Sequence, residues 1–253
     1  MKKFIFCLLL SGVCILLDAN SNRENSYENF VVEKAIQNGD LEKVQYCMQH
    51  TTDMKLKNKW LEDALFFGDL SIIRYAIECG ADVNTQAVDT GAAALMLRMD
   101  DEDALDLITC LVEHGANVNL RDNDGSTTLM CLHDDISLDL IRYLVEHGAD
   151  VNAQDNGGYT PLYSAVLIGR LDIVQYLVER GANINVESED GETILSECRN
   201  KKITQYLEGV LKKKGIKPLY PSLSEDERDQ KKLQNLRLES ERLSQEWQSK
   251  INK

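Results

Sequence analysis

Asp155-Asn156-Gly157-Gly158-Tyr159-Thr160-Pro161-Leu162-Tyr163-Ser164-Ala165, followed by Gly169-Arg170-Leu171-Asp172-Ile173-Val174-Gln175-Tyr176-Leu177-Val178, is the stretch that decides the fold. From Leu171 to Val178 the apolar residues fall at 171, 173, 174, 177 and 178, while Asp172, Gln175 and Glu179 face away, so the segment is predicted to be an amphipathic helix. Gly181 ends it, because glycine enters the left-handed conformation without steric cost. The Asp-Asn-Gly run makes a tight turn, and Thr160-Pro161 opens a new helix with a capping hydroxyl ahead of a proline whose missing N–H costs nothing there. Each unit therefore reads as turn, helix, loop, helix. Such a unit cannot bury its apolar face alone, so neighbours must stack.

The same grammar recurs at a fixed step. Gly115-Ala116-Asn117-Val118-Asn119, Gly148-Ala149-Asp150-Val151-Asn152 and Gly181-Ala182-Asn183-Ile184-Asn185 are spaced by 33 residues, and Gly80-Ala81-Asp82-Val83-Asn84 precedes them by 35. Gly125, Gly158 and Gly191 keep the same register, each followed two residues later by threonine at 127, 160 and 193. On these residues the sequence resembles the ankyrin repeat family over residues 30–207, most specifically over 60–207. The resemblance implies an all-α ankyrin-repeat solenoid of six helix-turn-helix units with β-turn loops, followed by a C-terminal helix. The first unit is degenerate: Ala35 to Leu41 keep the helix break, but Thr51-Thr52 replaces the glycine-alanine pair. The third is one residue longer, near Met99 to Asp103. Where Ala93-Ala94, Thr128-Leu129-Met130 and Ile194-Leu195-Ser196 replace the family's proline and histidine, irregular first helices are expected.

The chain is divided into five parts. Residues 1–21 read as a secretory signal peptide: Lys2-Lys3, an apolar run from Phe4 to Leu17 too short to span a bilayer, and small Ala19 and Ser21 ahead of a cut after Ser21. The competing reading is an uncleaved anchor; lipidation at Cys14 is disfavoured because Val13 precedes it. Residues 22–59 form the degenerate N-terminal capping repeat, 60–207 repeats two to six, and 208–223 the cap end and linker. Residues 224–253 form a charged amphipathic helix whose weak seam of Leu233, Leu236, Leu243 and Trp247 favours folding back on the last repeat over a coiled-coil dimer. A monomer is expected.

Residues 22–207 carry 15 basic and 33 acidic groups, net −18. That charge disfavours nucleic acid and anionic lipid, since both would repel it. Chemistry finds little support. No phosphate-binding loop, His-Glu-x-x-His or nucleophile elbow is present. Cys131 and His133, two apart on an expected helix, would diverge rather than share a metal. His114 and His147 read as solvated cations at helix ends, and Cys198 as a small buried residue in the register of Ala165. Tyr46, Tyr75, Tyr143, Tyr176 and Tyr206, with Cys110 in the same register, are expected to pack between stacked helices. The five cysteines after residue 21 are expected to stay unpaired. No catalytic residue, cofactor or metal site is expected.

What remains is recognition. As the resemblance implies, turn tips and the concave first-helix face meet protein partners, and the acidic groups gather there. The contact residues are predicted to be Asp122, Asn123, Asp124, Asp134, Asp135, Asp155, Asn156, Tyr159, Glu189 and Asp190, facing a protein partner of basic character. The expected function is that of an exported, non-enzymatic binder, periplasmic or secreted, acting as an accessory or protective inhibitor-like protein. The alternative is a membrane-tethered scaffold that keeps its first segment and recruits partners through its last helix.

Overall fold

The computed structural model describes residues 21–67, 70–87, 89–97, 99, 103–219, 230 and 234. The signal segment before Ser21, most of the lengthened stretch around 99–103, and the 224–253 helix with Leu233, Leu236, Leu243 and Trp247 thus lie outside the described residues, but for Met99, Asp103, Gln230 and Gln234. The described residues are helical, with three isolated antiparallel bridges and no strand. They fall into two compact units, one ending at Thr85 and one beginning at Gln86.

The first unit holds α1 (Ser21–Gln37), α2 (Leu41–His50), α3 (Met54–Phe67) and α4 (Leu70–Glu78). α1 packs on α3 and on α2, and α4 on α3 and α2. Asp40 ends the loop after α1 and caps α2 by accepting from the Lys43 amide at 3.2 Å. Trp60 of α3 is the largest buried side chain, and its indole N–H donates to Asn29 Oδ1 of α1 at 3.0 Å. Beside it, Asp63 keeps one carboxylate oxygen sealed from solvent with no hydrogen-bond partner among the described residues. The predicted boundary between residues 59 and 60 falls inside α3, which begins at Met54.

The second unit repeats a different pattern. Its second helices are α5 (Ala104–Glu113), α6 (Leu138–Glu146), α8 (Leu171–Glu179) and α10 (Lys201–Lys214), packed in that order. Only one first helix is well formed, α7 (Pro161–Leu167), where Thr160 Oγ1 accepts from the Tyr163 amide and Pro161 sits in the first turn. In the third and fourth repeats the first helix shrinks to single 3-10 turns, Ala94–Met96 and Thr128–Met130. The Met130 amide there bonds the Thr127 carbonyl instead of its hydroxyl, and the buried Thr127 and Thr128 hydroxyls are left without partners. In the sixth repeat α9 (Ile194–Glu197) is four residues long despite a reciprocal cap between Thr193 and Ser196.

Several sequence expectations change here. Cys198 is half-buried rather than buried, because α9 stops at Glu197, and its thiol donates to the Asn200 carbonyl at 3.5 Å. Cys131 and His133 lie in an irregular segment after a 3-10 turn, not on a helix; His133 Nε2–H donates to the Met99 carbonyl at 3.0 Å. Burial, with the charge of Asp122, pushes the Cys131 thiol up to about 11, so the thiolate that binds metal is scarce at neutral pH. The tyrosine register is not uniform. Tyr176 and Cys110 are buried, but Tyr46 is 43% exposed, because its ring stacks on His50 at the rim instead of entering the interior. Tyr143 stacks likewise on His147, centroids 3.9 Å apart. The exposed rings of His114 and His147 turn Nδ1–H to the Cys110 and Tyr143 carbonyls at 2.8 Å, closing the ends of α5 and α6. The five cysteines described form no disulfide among themselves.

Candidate protein-binding surface

The turns of the second unit are built by their own aspartates. Asp122 Oδ1 accepts from the Asp124 and Ser126 amides at 3.0 and 2.8 Å, and Asp155 Oδ1 from the Gly157 and Tyr159 amides, both at 2.9 Å. Successive turns are then laced together. The Asn123 amide donates to the Thr90 carbonyl and its side chain to the Asp89 carbonyl, at 3.0 and 2.9 Å. Asn156 repeats this, backbone to the Asp124 carbonyl at 2.9 Å and side chain to the Asn123 carbonyl at 3.1 Å, and the Glu189 amide reaches the Gly157 carbonyl at 2.8 Å. The approach is close: at Gly125, with φ of 77°, an added Cβ would lie 2.5 Å from Asn156 Oδ1.

Of the ten predicted contact residues, Asp122, Asn123, Asp155 and Asn156 therefore hold the ridge together. Asp124, Asp134, Asp135 and Glu189 are exposed, and Asp190 and Tyr159 half-buried. Asp134 and Asp135 belong to a separate loop before α6, pinned from the next repeat by Arg170. One guanidinium nitrogen of Arg170 donates to the Asp134 and Ile136 carbonyls, both at 2.8 Å, and the other two nitrogens grip Asp172 at 3.0 and 2.8 Å. That hydrogen-bonded pairing holds the Asp172 carboxyl below the usual carboxylate range.

The structure adds two residues the sequence reading missed. Glu192, 5% exposed, accepts from the phenols of Tyr163 at 2.9 Å and Tyr159 at 3.2 Å, and the Tyr159 oxygen lies 3.5 Å from Asp190. Burial and the Glu192 charge push the Tyr159 hydroxyl up to about 12 and Tyr163 still higher, so both remain donors at any physiological pH. The signal was available: Tyr159 and Glu192 each stand between the glycine and threonine of their repeats, so they share one register on adjacent turns. Gly157 completes the arrangement, since its Cβ would lie 2.8 Å from the Tyr159 ring that packs over it.

A second lacing lies three residues ahead of these turns. Asn119 donates to the Gly148 carbonyl and accepts from the Asp150 amide, at 2.9 and 2.8 Å; Asn152 does the same with Gly181 and Asn183, at 3.2 and 2.8 Å. An open cleft of about 540 Å³ is lined by Val166, Leu167, Gly169, Glu197, Arg199 and Asn200. Among the described residues no group of three or more His, Cys, Asp or Glu side chains is placed to hold a metal ion, and no helix is long and apolar enough to cross a membrane.

Helix pairs stacked in a row and stitched to one another through laced turns define a repeat-built binding scaffold. Residues 93–188 match the family model of ankyrin repeats in three copies, which supports an ankyrin repeat assignment, and the helical architecture of the described residues is that of an all-α ankyrin solenoid. Ankyrin repeats are a protein-protein interaction module, and proteins of this family are generally non-enzymatic. No curated protein matches the chain.

Proposed function

We propose that this protein is an exported, non-enzymatic binder that holds a basic partner protein against the turn ridge and first-helix face of its second unit. The observation that carries the reading is the ridge itself: rigid laced turns that display Asp124, Glu189 and Asp190 beside Tyr159, on a chain whose residues 22–207 are net −18. Pre-ordered turns lose little entropy on binding, and acidic display steers a basic partner. Export rests on the Lys2-Lys3 start, the apolar run to Leu17 and the small residues at 19 and 21. A periplasmic or secreted accessory role, protective of or inhibitory to the partner, and a monomeric state complete the reading.

The same apolar run supports a membrane-tethered scaffold as the second reading. Intact mass of the protein from its native host separates the two: loss of residues 1–21 supports export and excludes the tether. Binding is tested with the tagged full chain, crosslinked in its native host and recovered at low and high salt. A basic partner lost at high salt and lost with Asp124→Lys and Glu189→Lys is the expected result. A partner retained through both would overturn electrostatic binding by the ridge. Asp122 and Asp155 are unsuited to this test, because reversing them would break their own turns.

A further inference from the structure

The inference rests on the binding function just proposed and names the surface and the chemistry it fits. Two tyrosines of the second unit offer a comparison. The Tyr176 ring has the guanidinium carbons of Arg142 and Arg180 at 4.8 and 4.9 Å from its centroid, so its π-face is supplied with cations from within the molecule. Tyr159 is half-buried, is fixed on Gly157 and by Glu192, and is flanked by the Asp190 carboxylate, yet among the described residues no cation lies over it. Ring face and carboxylates together favour a cation.

From Tyr159 into α7 the chemistry changes. Tyr159, Tyr163 and Leu167 are spaced by four, with the two tyrosine rings 4.6 Å apart, and Leu167 is 58% exposed at the mouth of the cleft. The cleft exists because the sixth repeat is short. α7 and α9 begin 33 residues apart, but α8 and α10 begin only 30 apart, so three residues are missing after Glu197 and none of the described residues covers Leu167. An exposed leucine beside an open cleft favours an apolar side chain.

We infer that Tyr159 and the exposed side of α7 form a two-point seat for an extended segment of a partner protein, taking an arginine or lysine at Tyr159 and Asp190 and a leucine-sized apolar side chain at Leu167. The seven residues of α7 span about 10 Å, and Tyr159 stands two residues ahead of the first of them. An extended chain covers such a stretch in about four residues.

The test titrates the full chain, by tyrosine-ring and leucine-methyl NMR, with the peptide amide Ser-Arg-Ser-Ser-Ser-Leu-Ser and with versions carrying glutamate for arginine or serine for leucine. The expected result is saturable shifts at Tyr159 and Leu167 and at least threefold weaker binding for either altered peptide. Tyr159→Ala should weaken the parent peptide about tenfold. Leu167→Ser, a surface change that leaves the thermal melt in place, should erase the advantage of leucine over serine while keeping the preference for arginine. Equal affinity for all the peptides, or affinities unchanged in Leu167→Ser, would overturn the seat. A partner that charge reversal at Asp124 and Glu189 releases, but that Tyr159→Ala and Leu167→Ser leave bound, would preserve the binding function and still overturn this surface.

Discussion

The two units hold pairs of helices together by different means. In residues 21–85 the helices are long and packing dominates, with Trp60 at the centre and hydrogen bonds such as Trp60 to Asn29 at its margin. In residues 86–219 first helices shrink to a single turn in two repeats, and side-chain amides stitch neighbouring repeats at and just before their turns. Among the described residues, five of the eight exposed large hydrophobic side chains, Phe66 at 69% among them, belong to the first unit although it is the smaller of the two. A unit held by helix faces tolerates loose connections; one held by laced turns can spare its helices.

The sharpest way to break this contrast is Trp60→Ala. Emptying that site should cost about 3–5 kcal/mol. Denaturant unfolding followed by hydrogen exchange should show residues 21–85 opening while 104–214 stay protected; joint loss of protection would mean that the two units share one cooperative fold. In the second unit Gly125→Ala combines a left-handed backbone with a 2.5 Å approach to Asn156, and about 2 kcal/mol is expected. Gly148→Ala, at φ of 91° but with open space around the new methyl, should cost about half as much, and the difference between their unfolding midpoints measures the lacing contact.

Asn152→Ala removes one donor and one acceptor between the fourth and fifth repeats, for an expected loss of about 1–2 kcal/mol. A loss no larger than that of an exposed Asn→Ala control would show that the lacing is ornamental. The smallest effect is set by pH. Burial, opposed by Lys59 and reinforced by Glu33 and Glu62, pushes Asp63 up to about 6 from 3.8. Its ionisation therefore opposes folding: the stability it contributes is full below 3.8 and is lost as pH rises through about 6. Solvent screening at this half-exposed carboxyl keeps the gain from Asp63→Asn near 1 kcal/mol at pH 7.5. The first unit of that variant should show a flatter urea midpoint between pH 4.5 and 7.5 than the parent chain.

The contrast also explains what could be read in advance. Glycines at 125, 158 and 191 and asparagines at 119, 152 and 185 recur at fixed steps because each serves a neighbour one repeat away, so the second unit advertises its own period. The first unit carries its instructions in helix faces, which have no 33-residue signature, and α3 begins at Met54, ahead of the residue 60 at which the repeat grammar becomes specific. At the surface, composition singled out the acidic turns. It could not separate the aspartates that build a turn from those a turn displays, because Asp122 and Asp124 are the same residue type, and it is the Asp122 oxygen that accepts the Asp124 and Ser126 amides. Glu192 could be found by register alone: it stands one repeat on from Tyr159, and its burial follows once the two phenols above it are placed.

The last repeat sets a direction on how such a chain can lengthen over evolutionary time. α10 carries Lys201, Thr204 and Glu208 where α8 has Leu171, Val174 and Val178, and Asn185 clasps Lys217 and Leu219 at 2.8 and 3.2 Å as its counterparts clasp the next repeat. A unit duplicated beyond Lys214 would meet a charged face and an acceptor already taken. A unit duplicated between Gly125 and Glu179 would find matching apolar faces and waiting asparagines on both sides, so growth by gene duplication is confined to the interior of the array.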